Sequence, residues 1–539
     1  MNRTILIGLD GATFTILDAM MQDGTMPFLR GLVSSGVRGV LHSVVPALTP
    51  PAWTSLMTGK RPGEHGVFDF FQRQSPDSPF LRFASSHDIQ SDTIWTLASD
   101  HGCRVCALNF PLMFPPPRLN GCVVPGGWMP WKQLRLGCYP PGLFDRLKSS
   151  VPNFHPRELS HDMELEEKAL EGCAKEEYAD WIVLHTQRER RWTDIALYLM
   201  REEPADLTAI MFDGVDKLQH LCWRFLDPAL RPDSPTPWEQ EVQSLCLDYF
   251  RRLDGLIAEL VSQAGPDARI ILASDHGFGP SSDIFYPNTW LQQQGYLARV
   301  GGDEPVPSGE HQVGIAHLAR HVFELDWKRT VAYAATPSSQ GIHIVRRSAG
   351  EESGVPPEDY HRIRGQIADG LRNLRHPETG RPVVAKVWTC EEAFGNPHRA
   401  LGPDLTIMLE NDGVVSILPS DTIVRSRPEP VGTHRPEGIF VATGPGFRSG
   451  ETIPDLSIVD VAPLLLHCLD IATPGDMSGH LPLDALEPAA AERRPGRKRF
   501  TSATRIEVHD AQWDASPMGL DPGEEALVLR RLSALGYLE

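Results

Sequence analysis

The sequence predicts an α/β fold around a mainly parallel β-sheet, and three observations point to it. Apolar runs of strand length recur at Thr4–Leu9, Leu207–Phe212 and Arg269–Ala273. Helical stretches alternate with them, as at residues 160–203 and at Trp238–Gln263. Alternation of this kind is typical of parallel sheets, whose ligands collect at the carboxyl ends of the strands. The acidic residues that directly follow these runs are Asp10, Asp213 with Asp216, and Asp275.

The first third of the chain follows this pattern in order. Thr4–Leu9 reads as a buried strand, and the helical pattern after it is interrupted by a proline, which cannot donate a helical hydrogen bond. The elements predicted here are a helix at Phe14–Leu32 with Pro27 inside it, a strand at Gly39–Val45, a helix at Thr93–Ser99 and a strand at Arg104–Leu108.

The remainder predicts one large domain, residues 1–485, with an inserted lid at about 279–402. The lid region is less regular and carries patches rich in Gly, Pro and charge. Further core strands are predicted at Thr330–Ala334 and Ile342–Val345, strands again at Leu405–Leu409 and Ile439–Ala442, and an apolar helix at Ile458–Leu469. Residues 486–539 are predicted to form a polar linker followed by an amphipathic helix, Glu524–Leu535.

The overall charge excludes two classes of partner. The 539 residues carry 51 Lys and Arg against 70 Asp and Glu, a net charge of −19. Such a chain repels nucleic acid and anionic membrane surfaces, so neither is expected as a partner. An anionic substrate would need imported positive charge, and metal ions are the obvious source. The nine dispersed cysteines and the absence of a signal-peptide or membrane-spanning run make the cytoplasm the expected location.

Thr49 is the first candidate for chemistry, within the stretch Val45–Gly66. A threonine followed by two prolines is typical of a helix entrance, where its hydroxyl can cap free N–H groups. Helix entrances also attract anions. Taken alone, the residue is therefore either an ordinary cap or a nucleophile that faces a phosphate, and the cap is the more common case.

Two motifs carry an acid and an imidazole together. Asp216 and His220, in DKLQH, share one face of a helix because they are four residues apart, although an exposed polar pair has the same spacing. Asp275 and His276 follow a strand and precede Gly277, which permits a sharp turn. The string LASDHG also occurs at residues 97–102, but Asp100 and His101 there follow a helix and precede a strand. That copy is assigned to a helix C-terminus.

His434 completes the set, although a lone histidine in a turn is usually just solvated. Three carboxylates, three imidazoles and one hydroxyl divide into two metal sites with N and O ligands. One site would contain Asp10, Thr49, Asp275 and His276, and the other Asp216, His220 and His434. The second has only three protein ligands and keeps an open position, as catalytic metals do. Two neighbouring ions stabilise the attacking and the leaving oxygen in displacement at phosphorus.

The motifs that contain these residues resemble those of a known family. LDGA, LTPPAWTSLMTGKRPGEHG, DGVDKLQH, SDHGFG and THRPEGIF, in this order, resemble the alkaline phosphatase superfamily, in its branch of type I phosphodiesterase/nucleotide pyrophosphatase-like proteins. The similarity spans nearly all of residues 1–470, and the ending RRLSALGYLE looks like bacterial members, a group of predicted phosphohydrolases and phosphomutases. The resemblance implies a three-layer sandwich with a lid, Thr49 as nucleophile, and two divalent ions, usually zinc with manganese as the alternative.

The resemblance leaves the substrate open. Nucleotide pyrophosphatases carry an asparagine where this chain has Phe70, and arylsulfatases need a C/S-x-P-x-R pattern that TPPAW does not match. The expected activity is hydrolysis of a small-molecule phosphate mono- or diester through a phosphothreonine. A phosphomutase or phosphotransferase, a phosphonate or sulfate ester hydrolase, and a metal-free scaffold on a decayed enzyme fold are the alternatives.

Three charged neighbours have weaker roles. Lys217 and Arg435 flank candidate ligands and could clamp a phosphate oxygen, although a role as surface or supporting charges is the more common case. Asp213 is a candidate for orienting a ligand. The oligomeric state is not predicted.

Overall fold

The computed structural model of the chain describes residues 3–75, 78–126, 131–159, 174–300, 322–336, 338, 340–347, 353–395, 401–410 and 413–497. Two sequence predictions fall partly or wholly outside these residues. The amphipathic helix Glu524–Leu535 is one, and the first part of the helical stretch 160–203, residues 160–173, is the other.

Strands and helices alternate through most of the described residues. The strands are β1 Thr4–Leu9, β2 Val37–His42, β3 Phe71–Arg73, β4 Leu81–Phe83, β5 Val105–Leu108, β6 Gly121–Val124, β7 Leu207–Phe212, β8 Arg269–Ala273, β9 Gly277–Phe285, β10 Ala332–Tyr333, β11 Gly341–Ile344, β12 Val384–Thr389, β13 Leu405–Leu409, β14 Val414–Val415, β15 Val424–Arg435, β16 Glu437–Thr443, β17 Glu451–Thr452 and β18 Leu456–Ser457. The helices are α1 Phe14–Gln22, α2 Pro27–Ser35, α3 Thr49–Thr58, α4 Pro62–His65, α5 Ile94–Asp100, α6 Leu134–Gly137, α7 Leu143–Ser150, α8 Pro156–Leu159, α9 Tyr178–Glu202, α10 Gly214–Leu226, α11 Pro237–Ala264, α12 Pro287–Gln293, α13 Pro357–Arg372, α14 Cys390–Phe394, α15 Val461–Cys468 and α16 Pro488–Ala491.

One large sheet organises the molecule. Its strands lie in the order β17–β2–β16–β8–β1–β7–β5–β6, with β18 also paired to β2. The central strand β1 pairs in parallel with β7 and β8, so that Thr4 is in register with Leu207 and Arg269. Only β16 runs antiparallel to its neighbours in this sheet, β8 and β2. The predicted mainly parallel sheet is confirmed.

Helices cover both faces of this sheet. Alternate residues of a strand point to opposite faces, and in β1 the side chains of Ile5, Ile7 and Leu9 join one buried cluster while Leu6 joins another. The first cluster receives apolar residues of α1, α2, α9, α10 and α11. The second receives those of α3, α5 and α15. The architecture is therefore the three-layer α/β sandwich that the resemblance implied.

A smaller antiparallel sheet corrects one expectation about the lid. Strands near Thr330–Ala334 and Ile342–Val345 do form, as β10 and β11, but they belong to a four-stranded sheet in the order β10–β11–β13–β12 and not to the core sheet. Apolar strands look alike in sequence whichever sheet they enter. Because β13 ends at Leu409, this sheet extends past residue 402; the division of the chain at 279, 402 and 485 stays a prediction.

Two helix predictions also change in detail. The stretch Phe14–Leu32 forms two helices because α1 ends at Gln22 and Pro27 opens α2 in its first turn, where no N–H donor is needed. The stretch Ile458–Leu469 begins as a single 3-10 turn and becomes α-helical at Val461. Predictions of helix ends are uncertain by a few residues, since fraying and caps decide them.

A buried polar cluster fixes the start of α10. Glu189, on α9, accepts hydrogen bonds from the backbone N–H of Gly214 at 2.7 Å and from the hydroxyl of Tyr249, on α11, at 3.0 Å. Arg188 pairs with Asp213 at 3.0 Å, and both side chains are almost fully buried. Burial, and next the negative charge of Asp213, raise the pKa of Glu189 to about 8. The carboxyl group therefore keeps its proton at neutral pH.

We predict that Glu189→Gln flattens part of the pH dependence of stability. A raised pKa means that the folded protein holds a proton that the unfolded chain has lost, so this contribution is complete below the ordinary pKa of about 4.5 and is lost as the pH rises through 8. From pH 5 to pH 9, the wild type should lose on the order of 1 kcal/mol or more relative to the variant, which stays neutral. Urea unfolding of both proteins at the two pH values measures this; parallel profiles would refute the assignment.

The core sheet also leaves no space at Gly8. A Cβ atom there would lie 2.6 Å from the indole ring of Trp53, which is fully buried in α3. Gly31, on α2, has open space at the same position. We predict that Gly8→Ala destabilises the protein by about 1–3 kcal/mol through overpacking. Gly31→Ala, the control, should be neutral or stabilising because alanine favours helix. Equal unfolding midpoints for the two variants would contradict this packing.

Candidate metal centre

The first group of polar side chains lies where β1 and β8 end side by side. Asp10 follows β1, and Asp275 and His276 follow β8. His276 Nε2 lies 3.2 Å from Asp275 Oδ2 and 3.5 Å from Asp10 Oδ1. The N–H of Gly11 donates to Asp275 Oδ1 at 3.1 Å. The parallel register of two neighbouring strands thus places both carboxylates and one imidazole at a single point.

Thr49 belongs to this group, but not as a helix cap. The helix α3 begins at Thr49 itself, Leu48 is the capping residue, and no side chain caps this end. The Thr49 hydroxyl instead lies 3.4 Å from His276 Nε2, and the residue is 5% exposed. Of the two alternatives left open by the sequence, the capping hydroxyl is therefore excluded. Because Pro50 and Pro51 have no N–H, few backbone donors remain at this helix end for an anion.

The second group joins α10 to β15. Asp216 and His220 lie one helical turn apart on α10, and His434 lies near the end of β15. Asp216 Oδ1 is 3.4 Å from His220 Nε2 and 3.2 Å from His434 Nε2, and the two imidazole nitrogens are 3.0 Å apart. Three potential ligand atoms from two distant segments therefore converge within a few ångströms.

All three histidines present the same ring nitrogen to the centre. The Nδ1 atoms of His220, His434 and His276 lie 3.2, 3.0 and 3.1 Å from the carbonyl oxygens of Gly432, Ala47 and Gly277. A carbonyl can only accept, so each Nδ1 carries the proton and each Nε2 keeps its lone pair. This is how metal-binding histidines are usually held, with the second nitrogen fixed by a carbonyl or carboxylate.

The electrostatics of the centre fit divalent cations. Asp10 Oδ1, Asp216 Oδ1 and Asp275 Oδ2 are buried and accept no hydrogen bond from the described residues. Burial raises the pKa of Asp10, as does the charge of Asp275, and burial raises the pKa of Asp275 to about 8. Burial lowers the pKa of His276 well below its usual value. Buried acids without counter-charge are costly, and metal ions would supply that charge.

His276 lies between the first and the second group of polar side chains. Ligand atoms of Asp10, Asp275 and His276 lie within 4.8 Å of one another, and so do those of Asp216, His276 and His434. The rings of His276 and His434 stack with their centres 3.7 Å apart. The structure thus brings together all seven predicted residues, with the two groups in direct contact.

Two residues of this centre were not singled out from the sequence. Phe278 packs its ring against those of His220, His434 and His276, with ring centres 4.8, 5.2 and 5.9 Å apart. Gln219 donates from Nε2 to the carbonyl oxygen of Gly11 at 2.8 Å. Phe278 lies inside the SDHGFG motif and Gln219 inside DKLQH, so motif position was the available signal.

The flanking charges divide into two cases. Lys217 Nζ lies 3.7 Å from Asp216 Oδ2 and has a largely buried side chain, so it is part of the centre. The guanidinium of Arg435 donates to the carbonyl oxygens of His434 and Pro280, which ties it to the strand pair. Asp213 pairs with Arg188 at the start of α10.

The duplicated string behaves as context predicted. Asp100 is the last residue of α5 and His101 is its C-cap, with Nδ1 2.7 Å from the carbonyl oxygen of Leu97. The assignment of this copy to a helix C-terminus is confirmed.

Across the described part of the chain, helices long enough to cross a bilayer are not apolar enough to do so.

Comparison with known proteins agrees with this geometry. The family model of type I phosphodiesterase/nucleotide pyrophosphatase matches residues 4–436. The structure is similar to human ectonucleotide pyrophosphatase/phosphodiesterase 5, with 15% sequence identity and a TM-score of 0.51 over 89% of this chain and 98% of that one. It is also similar to an inactive variant of the murine protein in complex with AMP, with 14% identity and a TM-score of 0.50 over 89% and 98% of the two chains. A sequence comparison with curated proteins gives no significant match.

The family model covers most of the chain and includes both groups of polar residues. The fold and the enzyme class implied by the resemblance, a phosphoryl-transfer hydrolase of the alkaline phosphatase superfamily, are confirmed. The chain belongs to the type I phosphodiesterase/nucleotide pyrophosphatase family.

Proposed function

We propose that the protein hydrolyses a phosphate ester of a small molecule in two steps, with Thr49 as the nucleophile and two divalent metal ions as cofactors. The observation that supports this most directly is the convergence of three carboxylates and three Nε2 atoms beside one hydroxyl. Family membership supports the reaction class. Zinc is the proposed metal, and manganese the alternative, because mixed N and O donors suit both ions.

The position of Thr49 at the first residue of a helix supports its proposed role as the attacking group. Its hydroxyl lies at the edge of the group formed by Asp10, Asp275 and His276. In the proposed reaction its oxygen forms a bond to phosphorus while the bond to the leaving alcohol breaks, and the alcohol departs with a proton. Water then cleaves the phosphothreonine and restores the hydroxyl.

The remaining residues hold charge around the phosphoryl group. Asp10, Asp275 and His276, with Thr49, would hold one cation, and Asp216, His220 and His434 the other. When bound, the two cations would supply the positive charge that lowers the pKa of the hydroxyl and stabilises the attacking and leaving oxygens. Lys217 adds a fixed positive charge beside Asp216 and is the proposed contact for a phosphate oxygen. For Arg435 a role in binding substrate is less favoured, since it donates to backbone carbonyls.

The proposed substrate class follows from the net charge, and the proposed cellular compartment follows from the cysteines. With a net charge of −19, nucleic acid and anionic membrane surfaces are unsuitable partners, which leaves a small phosphate ester as substrate. The cysteines in the described residues are buried and form no disulfide with one another, as is usual in a reducing compartment, and we propose the cytoplasm.

We predict that Thr49→Ala abolishes turnover while the metal content stays unchanged. Removal of the attacking oxygen should lower kcat by at least about 1000-fold. Thr49→Ser, which keeps a hydroxyl, should retain measurable activity. The assay panel is p-nitrophenyl phosphate, bis-p-nitrophenyl phosphate, a phenylphosphonate ester and p-nitrophenyl sulfate, each with added Zn²⁺ or Mn²⁺. The panel also identifies the preferred ester. Undiminished activity of Thr49→Ala would remove this residue from the mechanism.

We predict that the two copies of the string LASDHG differ in their effect on metal binding and activity. Asp275→Asn should lower the number of bound metal ions per chain from two toward one, and activity with it, because an amide is a poorer and uncharged ligand. Asp100→Asn changes the same residue in the other LASDHG copy and should alter neither quantity. Elemental analysis of the purified proteins after dialysis against Zn²⁺ measures this. If the wild-type protein takes up no metal, this result would favour the metal-free scaffold and refute the proposed function.

A further inference from the structure

Gln219 lies between the two groups of the metal centre and has no part in the reaction proposed above. It sits on α10, three residues after Asp216 and directly before His220, and its side chain is fully buried. Its Nε2 donates to the carbonyl oxygen of Gly11 at 2.8 Å. Its Oε1 accepts no hydrogen bond from the described residues. Net stabilisation by a buried amide with one unpaired oxygen is small, so stability alone is a poor reason for it.

Gly11 carries this contact into the first group. Its N–H donates to Asp275 Oδ1 while its carbonyl oxygen accepts from Gln219, and Asp10 precedes it in the chain. The backbone of Gly11 has a φ of +67°, and a Cβ atom would lie 2.8 Å from the ring of Phe278. A side chain is therefore excluded, and the turn is held from both sides in one conformation.

The backbone of Gln219 also contacts the segment of His434. A Cβ atom at Gly432 would lie 2.0 Å from the carbonyl oxygen of Gln219, so β15 passes against α10 at this residue. Gly432 in turn accepts from His220 Nδ1 at 3.2 Å. Three segments thus meet at Gln219: the turn after β1, the helix α10, and the strand β15 that carries the third histidine.

We propose that Gln219 is a positioning residue that sets the separation between the two metal ions. This inference rests on the proposed function, since it requires two ions. Asp10 and Asp275 are tied to the turn at Gly11, whereas Asp216 and His220 lie on α10, and the Gln219 amide donates a hydrogen bond that joins this turn to this helix. Stabilisation of both the attacking and the leaving oxygen depends on the spacing of the ions, and an error of about 1 Å can cost 100-fold in rate.

The test compares Gln219→Met with Gln240→Met in the full-length protein loaded with Mn²⁺. Methionine has nearly the volume of glutamine and lacks the donor. Gln240, on α11, also donates to a backbone carbonyl, that of Pro235 at 3.2 Å, but it is exposed. The readouts are the number of Mn²⁺ ions per chain, the magnetic coupling between them by electron paramagnetic resonance, and kcat and KM.

We expect Gln219→Met to bind two ions, because every ligand is retained, but with altered coupling and with kcat lowered about 10–100-fold at a little-changed KM. Gln240→Met should match the wild type in all four quantities. Wild-type coupling and kcat in Gln219→Met would overturn the inference. If that variant does not fold, Gln219→Asn, which keeps the amide but is too short to reach Gly11, takes its place with the same criteria. A wild type with fewer than two ions would instead refute the proposed function, so the two failures are distinct.

Discussion

Buried carboxylates that outnumber the positive charges around them are the constraint on which this structure depends. Asp10, Asp216 and Asp275 each bury a carboxylate oxygen that accepts no hydrogen bond from the described residues. Three imidazoles meet them with Nε2, while backbone carbonyls fix each Nδ1. Left without cations, such a cluster would be destabilising, since buried charge needs a partner. The scaffold must therefore hold these groups together against their own repulsion.

The parallel sheet permits the scaffold to hold these charged groups together. The strands β1, β7 and β8 are adjacent and end at the same edge of the sheet. The residues that follow β1 and β8 therefore lie close together. The helix α10 follows β7 and adds its ligands from the side, with its first turn fixed by Glu189. His434 comes from β15, which pairs antiparallel with β9 directly after His276. Each candidate ligand thus lies within a helix or strand or close to the end of one, which keeps spacing precise.

Sequence reasoning identified the core sheet and the candidate ligands, but not the pairing of the short strands. The core strands β1, β7 and β8 were identifiable because strands buried on both faces are continuous apolar runs, and the acidic residues after them marked the candidate ligands. The sheet membership of β10 and β11 was not identifiable, since pairing partners leave no local trace in a short apolar segment. The sequence left a capping role open for the Thr49 hydroxyl for a related reason: a capping residue and a first helical residue differ by one position. Gln219 was missed because its role depends on a contact 208 residues away in the chain.

The same electrostatics reconcile an acidic protein with an anionic substrate. A net charge of −19 opposes the approach of phosphate over most of the surface. Inside the centre, two divalent cations would outweigh three carboxylates, since imidazole binds metal in its neutral form, and Lys217 would add to the excess. Because the site is buried, that positive charge would be only weakly screened by salt. Under the proposed function, groups that are unfavourable in the empty protein would thus become the source of both binding and catalysis once the cations are held, and metal content would control whether phosphate is repelled or bound.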